Sequence, residues 1–95
     1  MTRRDFVEID LGDVASTKEL HAALASGLSF PEWYGHNWDA FWDSITGIVE
    51  MPENIRFVRF DKLAATLPDD AAQLKRCLDE MAAQQPASAS AIVYA

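Results

Sequence analysis

The chain has 95 residues, of which 49% are hydrophobic and 24% charged, and 15 acidic against 8 basic side chains give it a formal net charge of −7. Such a length suits one domain, here residues 1–95, with a modest core, and the apolar content excludes intrinsic disorder. The acidic balance argues against nucleic acid and against an anionic membrane surface, and it favours encounter with a basic protein.

Met1-Thr2-Arg3-Arg4-Asp5 has two arginines but no apolar stretch after it, so this segment is not expected to act as a secretory signal. No apolar run is long enough to cross a bilayer, and the expected compartment is the cytoplasm. Phe6 to Leu11 alternates, with Val7, Ile9 and Leu11 on one side and Glu8 and Asp10 on the other, which predicts a half-buried strand. Ser16 and Glu19 stand at capping-box spacing before the stripe of Leu20, Ala23 and Leu24, and Gly27 is expected to close that helix. His21 inside it is expected to be a partly buried structural residue. Leu28 to His36 reads as a loop with Pro31 and Gly35. A second helix follows, with Asn37 as N-cap and Gly47 as a left-handed stop.

Pro52-Glu53-Asn54 breaks the chain, and the β-branched and aromatic residues from Ile55 to Phe60 predict a second strand. Pro68 suits the first position of a last helix, with Asp69 and Asp70 in the first turn where the helix dipole favours them. Its expected buried stripe is Ala71, Leu74, Leu78 and Met81, and it ends at Gln84-Gln85-Pro86. The single cysteine, Cys77, lies in this helix and reads as a small core residue in a reducing compartment. Ala91 to Tyr94 is a third strand. The order β-α-α-β-α-β, with one-sided apolar stripes, predicts an α/β fold: a single two-layer domain with a three-stranded parallel sheet and helices on one face.

The stretch from Trp33 to Gly47 holds all three tryptophans and two aspartates one helical turn apart. Asp39 and Asp43 at that spacing repel by about 0.2–0.5 kcal/mol in an exposed helix, which suggests a surface awaiting positive charge. At helical spacing Trp38, Phe41, Trp42 and Ile45 share an arc that should enter the core, with the aspartates at its edge beside Trp42. Nothing marks a nucleophile, a phosphate loop or a zinc-binding cysteine pair. His36, Asp39 and Asp43 form the one arguable metal set, yet His36 precedes the helix cap and need not share the aspartates' face. The aspartates as a glycosidase-like acid/base pair would need separate elements around a deep cleft, for which this chain has little room. No catalytic residue, metal or cofactor is therefore assigned, and a small metal-dependent hydrolase stays as the enzymatic alternative. Aromatic anchors beside charged groups are what hot spots of protein interfaces look like.

At these residues the sequence resembles the barstar family of small intracellular inhibitors of secreted bacterial ribonucleases. Tyr34-Gly35-x-Asn37-x-Asp39-Ala40-x-Trp42-Asp43-x-Ile45-Thr46-Gly47 matches the pattern around the family's inhibitory helix. Leu20-His21, Leu28, Pro31-Glu32, Val49-Glu50-x-Pro52, Phe60, Leu74, Leu78 and Glu80 fall at the same spacing, and the match thins after Glu80. The resemblance implies the same parallel sheet, and a second helix that plugs a ribonuclease active site without doing chemistry. It implies that Asp39 and Asp43 mimic substrate phosphates, flanked by Trp42 and Thr46. Trp33 stands where the family has a tyrosine, Gly35, Asn37 and Gly47 belong to the matching motif, and Glu80 matches a further acidic contact. The implied protein is monomeric when free, needs no cofactor and binds a basic, barnase-like ribonuclease. Ile48 stands in place of an interface aromatic, His36 in place of an acid and Ser44 in place of a cysteine. These departures leave a second reading, an immunity module of the same fold for a different basic protein or toxin.

Overall fold

A computed structural model describes residues 3–95. Strands β1 (Phe6–Asp10), β2 (Asn54–Val58) and β3 (Ala91–Tyr94) pair in parallel in the order β1-β2-β3. The register sets Val7, Ile55 and Ile92 in one row and Ile9, Phe57 and Tyr94 in another. Strand side chains alternate between faces, so both rows point the same way, into the core. The other face turns Phe6, Glu8, Arg56 and Val93 to solvent, with the Glu8 and Arg56 charges 3.6 Å apart on neighbouring strands. A sheet with one wet face needs helices only on the other, and the apolar sides of the helices join the inner strand residues in one cluster.

Helix α1 (Thr17–Leu28) begins where the capping residues predict, with Glu19 N–H donating to Ser16 Oγ at 3.1 Å. The Glu19 carboxylate reaches back to Ala15 N–H at 2.8 Å, one residue earlier than the usual reciprocal partner. Gly27 does not close this helix. It lies inside it, where an added Cβ would sit 2.7 Å from Ile9 Cδ1, and the left-handed cap falls to Ser29 at φ 59°. The glycine lets α1 approach β1, a tertiary demand that looks like a stop signal in one dimension. His21 is fully buried rather than partly so.

Helix α2 (Trp38–Asp43) follows the loop after α1. After β2 the chain forms two helices, not one: α3 (Phe60–Thr66) and α4 (Pro68–Gln84). Strand β2 stops at Val58 because Arg59 turns left-handed, at φ 58°. Arg59 holds that turn by grasping Asp10 at the end of β1 with two hydrogen bonds of 2.9 and 2.8 Å. Its guanidinium covers Gly12, where any Cβ would lie 2.0 Å from it. Pro68 is at the start of α4, as its fixed φ favours, and Ala71, Leu74, Cys77, Leu78 and Met81 face inward. At the far end of the sheet the Arg3 guanidinium donates to the carbonyls of Met51, Pro52, Ala87, Ser88 and Ala89, joining the loops that enter β2 and β3.

Candidate functional site

The loop from Trp33 to Asn37 delivers α2. Tyr34 is buried while Trp33, its neighbour, is 72% exposed. His36 takes φ 51°, which turns the chain so that Asn37 can cap the helix. The Asn37 amide is used at both ends: Oδ1 accepts from Ala40 N–H at 2.7 Å and Nδ2 donates to Gly35 O at 3.0 Å. Asn37 and Gly35 therefore shape the loop through their own contacts.

Helix α2 does not end on a left-handed Gly47. It passes into a π-helical turn, Ser44–Ile48, in which Val49 N–H donates to Ser44 O at 3.0 Å, and no described glycine has positive φ. The wider i→i+5 bond ends the helix as Val49 becomes extended, so no left-handed residue is required. The Thr46 hydroxyl donates to Trp42 O at 2.6 Å within this turn.

The inner side of α2 is apolar and closed, with Phe41 and Ile45 buried and Trp38 and Trp42 half-buried against the core. Its other side meets α4. Asp39, Trp42 and Asp43 line a groove of about 440 Å³ together with Trp38 and with Gln73, Cys77 and Glu80 of α4. Two helices thus supply three carboxylates and two indoles to one hollow. Asp39, Asp43 and Glu80 are exposed. The ion pairs among the described residues join Glu8 to Arg56 and Asp10 and Asp13 to Arg59, so no internal cation is matched to the groove. Burial first, and then the Glu80 charge, push the Cys77 thiol above its ordinary value, away from the thiolate that a nucleophile needs.

The other candidate residues fall around this groove. Thr46 and Gly47 line a second hollow of about 370 Å³ beyond the end of α2, with Ile48 and Met81 among its walls. Trp33 and Gly35 lie on the loop before the helix and line neither hollow. Gln73 and Cys77 were not anticipated at the site. Their spacing with Glu80 (i, i+4, i+7) on the predicted last helix was the available signal. Among the described residues no group of three or more His, Cys, Asp or Glu is gathered to hold a metal ion, as the hydrolase alternative requires. The His36 ring packs instead with its centroid 5.3 Å from that of Tyr34, tilted to it, and 6.5 Å from that of His21, edge-on to it. No described helix is long and apolar enough to cross a membrane.

Two expected results follow from this geometry. Asp39→Ala should change stability by no more than about 0.5 kcal/mol, because relief from Asp43 and the loss of a favourable first-turn acid oppose each other. A thermal melt checks this, and unfolding of the variant would contradict an exposed acidic face. The second concerns His21, which supports the loop with Nδ1 2.6 Å from the Tyr34 hydroxyl and its ring 4.6 Å from Trp38. Burial lowers its pKa below the ordinary 6.5, the Asp70 charge opposes that shift and His36 adds to it. The unfolded chain then binds the proton more readily, so this contribution to stability is intact above pH 6.5 and declines as pH falls through the lower folded value. Denaturant melts should show that decline, and an NMR titration of the His21 ring should give a midpoint below 6.5.

The comparisons with known proteins agree with this architecture. The profile of the family described as "Barstar (barnase inhibitor)" matches residues 4–94. A Bacillus subtilis (strain 168) protein named "Putative ribonuclease inhibitor YrdF" is 40% identical over 53 residues, which is 56% of this chain and 58% of that protein. The shared segment thus spans little more than half the length of that relative. The family match, by contrast, runs from just before β1 to the end of β3, and it takes in both helices of the acidic groove: the chain belongs to the barstar family.

Proposed function

We propose that this protein binds a basic, barnase-like ribonuclease and blocks its active site with the acidic face of α2, without chemistry of its own. The observation that carries the reading is the groove itself. Asp39 and Asp43 of α2 and Glu80 of α4 converge beside Trp42, outside every ion pair found among the described residues. Carboxylates set beside half-buried aromatics suit the cationic cleft of an enzyme that handles phosphodiesters. Family membership and the name of the Bacillus subtilis relative support the same reading. In this account Trp33, Gly35 and Asn37 form the leading edge of the interface, and Thr46 and Gly47 its trailing edge. The protein acts in the cytoplasm, is monomeric when free and needs no cofactor.

The test is a titration of the purified protein against barnase and other basic secreted ribonucleases, following RNA hydrolysis and binding together. The expected result is stoichiometric loss of hydrolysis, with association that slows as salt is added. Binding of a basic protein with no effect on RNA hydrolysis would favour the immunity-module reading. Failure to bind any basic ribonuclease would overturn the proposal.

A further inference from the structure

One side chain outside the groove ties three helices together. Asp70 is in the first turn of α4. Its Oδ1 accepts from the indole Nε1–H of Trp38, the first residue of α2, at 3.1 Å. Its Oδ2 accepts from the hydroxyl of Thr17, the first residue of α1, at 2.5 Å. Both carboxylate oxygens of Asp70 are thus taken by donors from other helices. Trp38 in turn is a wall of the acidic groove, and Asp39 is its neighbour in sequence.

We propose that Asp70 is a positioning residue for binding: by fixing Trp38 it sets how α2 lies against α4, and so where Asp39 and Asp43 stand relative to Glu80. This rests on the ribonuclease-binding reading above. Asp69 serves as the control, because it is exposed in the same turn of α4 and shares the dipole effect without a tie to α2.

The experiment measures barnase dissociation and thermal melting for Asp70→Leu, Asp70→Asn, Asp69→Leu and Trp38→Phe, and for Asp70→Leu combined with Trp38→Phe. An asparagine keeps an acceptor for the indole and can donate to Thr17, so Asp70→Asn should dissociate like the parent. Asp70→Leu should dissociate roughly two- to tenfold faster, the worth of about one net hydrogen bond, and Asp69→Leu should not. Trp38→Phe keeps a ring but loses the donor. It should also dissociate faster, and adding Asp70→Leu to it should have little further effect. An unchanged rate in Asp70→Leu, or an undiminished effect in the Trp38→Phe background, would overturn the proposal. Should Asp70→Leu not fold, Trp38→Phe and Asp70→Asn decide the matter by the same criteria. If the parent does not bind barnase, the functional reading fails for that enzyme. The positioning claim is then settled in the free protein by hydrogen exchange of the Trp38 indole N–H, slow in the parent and Asp70→Asn and fast in Asp70→Leu. Equal exchange in all three would refute it.

Discussion

On the proposed reading, Asp43→Ala is expected to weaken ribonuclease binding by at least roughly 30-fold to several thousandfold, because stripping one member from a desolvated charge pair costs about 2–5 kcal/mol or more, and barnase–barstar is itself a worked example of that effect at its upper end. The mechanism predicts where the loss appears. Removing one carboxylate takes the net charge only from −7 to −6 (−7 + 1), so long-range attraction survives and association slows little. The partner's cations, however, are left buried without a counter-charge, and dissociation accelerates. The Asp39→Ala/Asp43→Ala double change should reduce affinity further, but by less than the sum of the single effects, because the two carboxylates share one groove and one set of partner groups. Both residues are exposed, so the melting temperature should hardly move. Asp69→Ala, which removes the same charge elsewhere, should leave dissociation unchanged. A partner that retains its affinity for the double variant would place the interface on another surface of the molecule.

How far this site could be read from the chain depends on whether each feature is local. Strand β1, the Ser16 cap, the Asn37 cap and the Pro68 start all rest on residues within a few positions of one another, and each is where the pattern put it. Helix α3 leaves no local signature, because its start depends on a left-handed Arg59, which is held by Asp10 from 49 residues away. Gly27 and Gly47 both look like stops in the sequence. One answers to the side chain of Ile9, the other sits in a π turn, and neither circumstance leaves a local mark. The same division runs through the groove. The Asp39 and Asp43 pair and its aromatic neighbours are legible as spacing on a helix. Glu80 entered only through the family resemblance. Gln73 and Cys77 share a helix face with Glu80 by their spacing, but that this face meets Asp39 and Asp43, and that Asp70 ties to Trp38, depend on how α2 meets α4, which no periodicity within either helix specifies.

Phe41→Ala is expected to destabilise the domain by about 3–5 kcal/mol, as large-to-small changes of a fully buried aromatic do. Phe41 is 0% exposed, and its ring meets Trp38 at 5.3 Å and Phe30 at 5.8 Å, both nearly edge-on. Truncation would lose the transferred area and both aromatic contacts, and would leave a cavity beneath α2. For a domain of this size that loss should lower the melting temperature by at least about 12 °C. A total stability of about 5–15 kcal/mol is typical, so the variant should fall close to the unfolding threshold without any change to an acidic residue. Phe41 and the aspartates occupy opposite sides of the same two turns, which makes the two effects separable. An Asp43 variant should keep its melting temperature and lose the partner. The Phe41 variant should lose stability yet recover part of it when the partner is added in excess, since a ligand that binds only the folded state stabilises it by mass action. A Phe41→Ala protein that melts within a few degrees of the parent would mean that this face of α2 does not anchor the helix, and that the groove is held in place by α4 and the Trp33–Asn37 loop instead.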